Sequence, residues 1–322
     1  MKFTAKFLLA IAALAVSVGT MAQAQLKVST GGPTGTYSIM FKQFQGICKD
    51  EIMQIEMPSS GSVQNMDRLL GNEVNAAIVQ TDVLFMRARS EDLGNIKTLF
   101  SLFPEEVHVI TPTISPIKEG GTMGLNKKSA TINTVADLNG RSVAAWGGSI
   151  VTSQLLRIQG EMQFNIIEVA NFVEAKAKID SGEAAAIVMV GGQPMADVQK
   201  LTNAYKLLPF PESLMAKLKA VYVPAKLNYS NMGQGGSGVP VIATDALYVT
   251  RAYKTAKYVE SLSALRSCFE KNLPDLSETT GMHKKWSAVN ADNKGKWSYY
   301  ELPQAVATAP AAIVPTSTTK KK

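Results

Sequence analysis

The chain has 322 residues, 46% hydrophobic and 18% charged, with two cysteines and two histidines. This is a globular composition, and the length suggests two domains. The formal charge of +7 falls to +2 once Lys2, Lys6 and the terminal Lys320, Lys321 and Lys322 are set aside. The body is therefore nearly neutral, no basic stripe with interleaved aromatics is present, and no nucleic-acid partner is expected.

Lys2 and Lys6 precede an apolar run at 7–18, and Ala22-Gln23-Ala24 supplies a small-x-small pattern. That order reads as a signal peptide over 1–24, cleaved after Ala24 on export to the periplasm. The run is too short to cross a bilayer, and no later stretch approaches about 20 uninterrupted apolar residues, so a soluble mature protein is expected. No Cys follows the apolar run, so no lipid anchor is expected.

From there, short strands and helices alternate. Residues 26–29 read as a strand, 37–48 as a helix and 52–57 as a second strand. Val63, Met66, Leu69 and Leu70 mark one helical face closed by Gly71. Residues 76–79 form a short apolar run suited to a buried parallel strand. A stretch rich in Gly, Pro, Ser and Thr at 111–131 is a candidate crossing between lobes. A second series follows, with strands at 142–145, 166–169 and 184–190 and helices at 150–158 and 172–179, ending near 221–223. A Gly-rich loop at 231–238, a β-prone segment at 239–250 and a long amphipathic helix at about 253–272 complete the body. The expected class is α/β, with right-handed crossovers and mostly parallel sheets flanked by helices. Residues 303–322, rich in Ala, Pro and Thr, read as a disordered tail.

Four strand ends carry similar turns: Thr30-Gly31-Gly32-Pro33-Thr34-Gly35-Thr36, Gln80-Thr81-Asp82, Trp146-Gly147-Gly148-Ser149 and Gly191-Gly192-Gln193-Pro194. In open α/β sheets, ligands bind beyond the carboxyl ends of the strands. Glycines there admit close backbone approach, and the helices that follow aim N–H groups at the same space, which suits a carboxylate. Two turns fall in each half of the chain, so two facing lobes would form a cleft. Gly61, Ser62 and Asn65 open a helix either as an ordinary N-cap or as a grip on ligand polar groups. Trp146 is either core packing or a cleft wall.

Catalysis finds no constellation. No Lys-Ser or Lys-Thr follows the glycines at 31–35, G-x-G-x-x-G is absent, and Ser149 lacks a G-x-S-x-G elbow. His108 is the only plausible base in the first half, and Glu105 and Glu106 read as a solvated face or a helix start. His108 and His283 stand far apart without ligand spacing, so neither a metal nor a cofactor is expected, and the protein reads as a non-enzyme. Cys48 and Cys268 could pair in an oxidising compartment or remain buried thiols.

Four stretches resemble the TAXI family, the solute receptors of one class of TRAP transporters. They are 29–37 (STGGPTGTY), Gly61-Ser62-Val63-Gln64-Asn65 with Leu69-Leu70, 77–83 (AIVQTDV) and 101–109 (SLFPEEVHV). Residues 136–143 (ADLNGRSV) resemble a wider signature of periplasmic binding proteins. The likeness runs from about 26 to 290 and is densest in 26–110.

The resemblance implies a two-lobed type II periplasmic binding protein fold with a ligand cleft between the lobes. It also implies hinge closure on a small organic solute and delivery to a TRAP-type permease. The lobes would be 26–111 plus 240–300 and 112–239, with hinges near 110–115 and 222–240. Gly31, Gly32, Tyr37, Gly61, Ser62, Asn65, Gln80 and Asp82 would line the first lobe's share of the cleft. Gly148, Ser149, Thr152, Gly192 and Gln193 would line the second, with Trp146 beside them. Ile150 and Trp146 depart from the family's usual small-residue loop and point to a smaller or more apolar pocket. The alternatives are a binding protein of an ABC importer and a ligand-sensing accessory protein. A monomer is expected.

Overall fold

The computed structural model describes residues 24–120 and 126–302. Of the expected signal peptide over 1–24, residues 1–23 lie outside the described residues, as does the expected tail at 303–322.

The first half alternates as its hydrophobic periods require. Strand β1 (Leu26–Ser29) leads into helix α1 (Thr36–Ile47), β2 (Gln54–Met57) into α2 (Ser62–Leu70), and β3 (Ala76–Gln80) into α3 (Thr81–Arg87). β1 pairs in parallel with β2 and with β3. All five residues of β3 are buried, as its unbroken apolar run demands. A 17-residue strand, β4 (Ile96–Pro112), then leaves this block, and a small hairpin of β5 (Lys118–Glu119) and β6 (Lys128–Ser129) follows.

The second half repeats the pattern with β7 (Ser142–Ala145), α4 (Gly148–Ile158), β8 (Asn165–Glu168), α5 (Phe172–Ser181) and β9 (Ala186–Gly191). β7 pairs in parallel with β8 and β9. Short elements α6 (Ala196–Gln199), β10 (Tyr205–Leu207), α7 (Glu212–Leu218) and β11 (Val223–Leu227) precede the long β12 (Val239–Arg251) and the 23-residue α8 (Ala256–Glu278).

The expected two-lobed α/β class holds, and the sheet that builds it is continuous, in the order β2-β1-β3-β12-β4-β9-β7-β8. A parallel block stands at each end, and the antiparallel strands β4 and β12 join them. The β12–β4 register shifts between Asp245 and Leu247 and again between Tyr248 and Val249. Such irregularities bend and twist a strand locally.

The sequence hides β4 because Pro104, Glu105, Glu106 and His108 interrupt its apolar character. In the fold the strand is central, and Glu105, Glu106 and His108 are all buried. The reading of the two glutamates as a solvated face or a helix start is therefore corrected: both are interior groups of a strand flanked by β12 and β9.

At the β1–β3 end, Phe100 stacks on Phe269 with ring centroids 4.0 Å apart, and Phe44 meets both rings edge-on at 5.8 Å. A disulfide between Cys48 and Cys268, with Cα atoms 6.0 Å apart, ties the end of α1 to α8 within this cluster. The cysteine pairing left open by the sequence is thereby resolved in favour of the bond.

Candidate functional site

Parallel strands place their carboxyl ends and the following helix starts along one edge, and the two blocks bring these edges face to face. A cavity of about 610 Å³ lies between them, within the size range of small-molecule sites. One side is formed by the Gly-rich loop after β1, by Ser59–Ser62, and by Gln80 and Glu105. Trp146, Ser149, Phe172, Met189 and Met195 face them, and 281–284 closes a third side.

Three helices start at the cavity on a glycine: Gly35 for α1, Gly61 for α2 and Gly147 for α4. None of these starts has a side-chain cap, as is also true of α3, α6, α7 and α8, whereas at α5 the Asn171 side chain accepts from the Glu174 N–H. At α4 the Ser149 and Ile150 N–H groups bond the Trp146 and Gly147 carbonyls. First-turn N–H groups without a side-chain cap, at the positive end of the helix dipole, favour an anion. Two glycines are required here on conformational grounds. Gly61 has φ +117° and Gly147 φ +51°, and a Cβ on Gly147 would run into the Ser60 carbonyl oxygen. A Cβ on Gly148 would displace the Gln80 side-chain amide and press on Ser62 Cβ at 3.3 Å, so the two walls approach closely there.

A polar chain enters the cavity from the first wall. The Gln80 N–H donates to Ser62 Oγ at 3.1 Å, Ser62 Oγ lies 3.3 Å from Tyr37 Oη, and Tyr37 Oη donates to Glu105 Oε2 at 2.5 Å. Burial pushes the Glu105 carboxyl up to about 8. The charges of Asp82 and Glu106 add to that rise, while the Tyr37 hydrogen bond and Lys285 oppose it. The Tyr37 hydroxyl is itself held well above its ordinary value by burial and by Glu105.

Nine of the expected site residues line the cavity: Gly31, Gly32, Tyr37, Gly61, Ser62, Gln80, Trp146, Gly148 and Ser149. Five do not; protein partners hold most of their polar groups, although Asp82 Oδ1 is buried without a hydrogen-bond partner. Asn65 donates to the Thr30 and Ile78 carbonyls and accepts from Ser29 and Ser59. Asp82 Oδ2 accepts from Thr152 Oγ1 and Tyr222 Oη, each at 2.7 Å, and burial raises its carboxyl above the usual range. Asp82 and Thr152 thus pin α3 to α4 beside the cleft. The Gly192 carbonyl accepts from Thr36 Oγ1, and Gln193 donates to Glu106 and to the Lys226 carbonyl. Trp146 is half-buried and packs edge-on against Phe172 at 6.4 Å, which makes it a wall of the cavity. Sequence reasoning missed Glu105, Phe172, Met189, Met195 and the 281–284 segment. Glu105 lay inside a quoted motif, and Phe172 follows a strand end as the other turns do. Nothing in the sequence marked 281–284.

Two buried pairs support this arrangement from behind. Lys285 Nζ meets Glu106 Oε1 at 2.5 Å with both side chains buried, and Glu106 Oε2 accepts from the Gln193 N–H. The pair therefore fastens the 281–284 segment and the loop after β9 to β4. His108 Nε2 lies 2.9 Å from Tyr229 Oη and Nδ1 lies 2.8 Å from the Glu106 carbonyl. Burial lowers its pKa to about 4, so it is a neutral strut in the core.

Residues 28–298 match the model of the NMT1-like family. The chain belongs to the NMT1-like family. No curated protein matches the sequence. Among solved structures, the chain is similar to a protein of Bordetella bronchiseptica RB50, at 14% identity over 83% of this chain and 76% of that one, with a TM-score of 0.53. That likeness is one of fold. Two others are recorded at lower scores. The Tv2483 protein bound to L-arginine has 13% identity over 83% and 92% of the two chains, with a TM-score of 0.49. An ABC transporter/periplasmic binding protein from Brucella ovis with glutathione bound has 13% identity over 84% and 78%, with a TM-score of 0.46.

In this NMT1-like protein two of the cavity serines, Ser62 and Ser149, are engaged with backbone or tyrosine groups. Ser62 Oγ serves Gln80 N–H and Tyr37, and Ser149 Oγ accepts from the Val190 N–H at 3.1 Å. Neither contacts a histidine or a carboxylate, so the arrangement can hold and orient a solute by hydrogen bonds. Among the described residues, no group of three His, Cys, Asp or Glu side chains is placed to hold a metal ion, and no helix is long and apolar enough to cross a membrane.

Proposed function

We propose that the protein is an extracytoplasmic solute receptor of the TAXI type. It closes on a small organic solute, a carboxylate or amino acid, and delivers it as a monomer to a TRAP-type permease. One observation carries this reading: three helix starts without side-chain caps, two from one block and one from the other, converge on one cavity of ligand size. The disulfide supports an oxidising compartment, in keeping with the signal-peptide reading of the N-terminus.

Closure would bend β4 and β12, the two strands that connect the blocks. The register shifts near Asp245 and Leu247 lie in those strands, and they favour a hinge there over the segments at 110–115 and 222–240. The first lobe would then hold β1–β3 with α8, and the second β7–β9 with α4 and α5.

Thermal unfolding of the mature protein with small carboxylates and amino acids tests the receptor reading. A true ligand at a hundredfold excess over its dissociation constant stabilises the native state by about 2.7 kcal/mol. No shift with any member of that set would overturn it. Uptake into vesicles carrying the cognate permease tests the delivery step. Uptake driven by an ion gradient supports the TRAP assignment, and uptake that requires ATP replaces it with an ABC importer.

A further inference from the structure

With the cavity taken as the ligand site, as proposed above, Glu105 is the buried carboxyl group on its lining; Asp197, the other acidic lining residue, is paired with Lys200 at 3.0 Å. The two oxygens of Glu105 are treated differently. Oε2 accepts the Tyr37 hydroxyl, while Oε1 has no hydrogen-bond partner among the described residues. The charged and titratable groups around it come from four elements. They are Tyr37 on α1, Asp82 on α3, Glu106 on its own strand and Lys285 on the C-terminal segment. The single cation among them is bound to Glu106, so no ammonium or guanidinium neutralises Glu105. Burial first, and then the carboxyl groups of Asp82 and Glu106, oppose its ionisation, against a smaller opposing effect of Lys285. A proton on this group belongs on Oε1, since Oε2 already receives one from Tyr37.

We infer that Glu105 stands in the cleft as a neutral carboxylic acid whose Oε1–H donates to an acceptor on the ligand, so that the site selects a solute with an anionic or carbonyl oxygen there and disfavours an ammonium group. The remainder of the first wall is consistent, because the helix starts of α1 and α2 also present donors. The carboxyl pKa of about 8 keeps the group protonated at neutral pH. Ionisation removes the donor and sets a negative oxygen against the ligand's own, so affinity for an acidic solute falls as pH rises through that value.

The test is calorimetric titration of the mature wild type and of Glu105→Gln with succinate, L-malate and L-arginine at pH 7 and pH 9. At pH 9 about one tenth of the wild-type groups keep the proton, so an acidic probe binds roughly tenfold more weakly than at pH 7. The Gln variant, whose amide keeps a donor, binds that probe equally well at both pH values. Wild-type affinity that rises with pH, or L-arginine bound in preference and lost in the variant, would overturn the inference.

If no probe binds the wild type, the receptor reading is what fails for these ligands, and unfolding without ligand decides the state of Glu105. The unfolded chain releases this proton near about pH 4.3 and the native protein near 8, so the native state holds more protons between those values. Wild-type melting temperature should therefore fall relative to Glu105→Gln from pH 5 to pH 8. A constant difference between the two proteins would show an ionised Glu105 and end the proposal.

Discussion

The two ends of the sheet are packed with different materials. Around β1–β3, Phe100 stacks on Phe269 with Phe44 edge-on to both, and the Cys48–Cys268 bond ties α1 to α8. Around β7–β9, the interior is mostly aliphatic, with Val143, Leu155, Ile179 and Ile187 buried, and its aromatics, Phe164, Phe210 and Tyr222 among them, form no stack of this kind. The cavity inherits this difference. The cross-linked end contributes Tyr37, Ser62 and Glu105, whose hydrogen bonds fix their directions, and the other end contributes Trp146, Phe172, Met189 and Met195. Polar recognition needs groups held within a few tenths of an ångström, and a rigid support supplies that. An apolar cover tolerates small displacements, and methionine adapts to irregular gaps. On the proposed receptor reading, the first end would orient the solute and the second would mainly exclude water.

Removing the cross-link is the strongest way to break that division. The bond joins residues 220 positions apart, so the double variant Cys48→Ala, Cys268→Ala should lose about 2–4 kcal/mol of unfolding free energy, measured by calorimetric or denaturant unfolding. Ligand affinity of the folded fraction should change little, because neither cysteine lines the cavity. A large drop in affinity would mean that the bond shapes the site and does not merely stabilise its support.

Gly148→Val acts on the other side. The new branched side chain takes the place where the Gln80 amide rests and presses on Ser62, so close approach of the walls is opposed. Affinity should fall about a hundredfold, near 2.7 kcal/mol, with far-UV circular dichroism unaltered. Small-angle scattering should show the variant staying extended when ligand is added. Wild-type affinity in this variant would remove closure at Gly148 from the mechanism.

The elements legible in the sequence were those with a clean period. β1, β3, β7 and β9 are short runs buried by helices, and the helix faces follow from spacing alone. The Gly-rich turns at strand ends lie along the edge of the sheet that carries the cavity. β4 escaped because its buried glutamates and histidine find partners in Tyr37, Lys285 and Tyr229, residues 68, 179 and 121 positions away. No local pattern announces partners at that distance. The same blindness explains Asn65, Asp82 and Thr152, which look like ligand groups in sequence and are spent on the protein itself.

The smallest expected effect tests the apolar cover. Trp146 is half-buried, and its packing against Phe172 leaves part of the ring to the cavity. Trp146→Ala removes that surface, and truncation of an aromatic wall at a closed site should cost about tenfold in affinity, near 1.4 kcal/mol. Trp146→Phe keeps most of the apolar area and should recover most of the loss. Melting temperature read alongside separates the two roles the residue can play. A wall residue lowers affinity more than stability, whereas a core residue lowers stability first. Unchanged affinity in Trp146→Ala would return the indole to the core and leave Phe172 and the methionines as the cover.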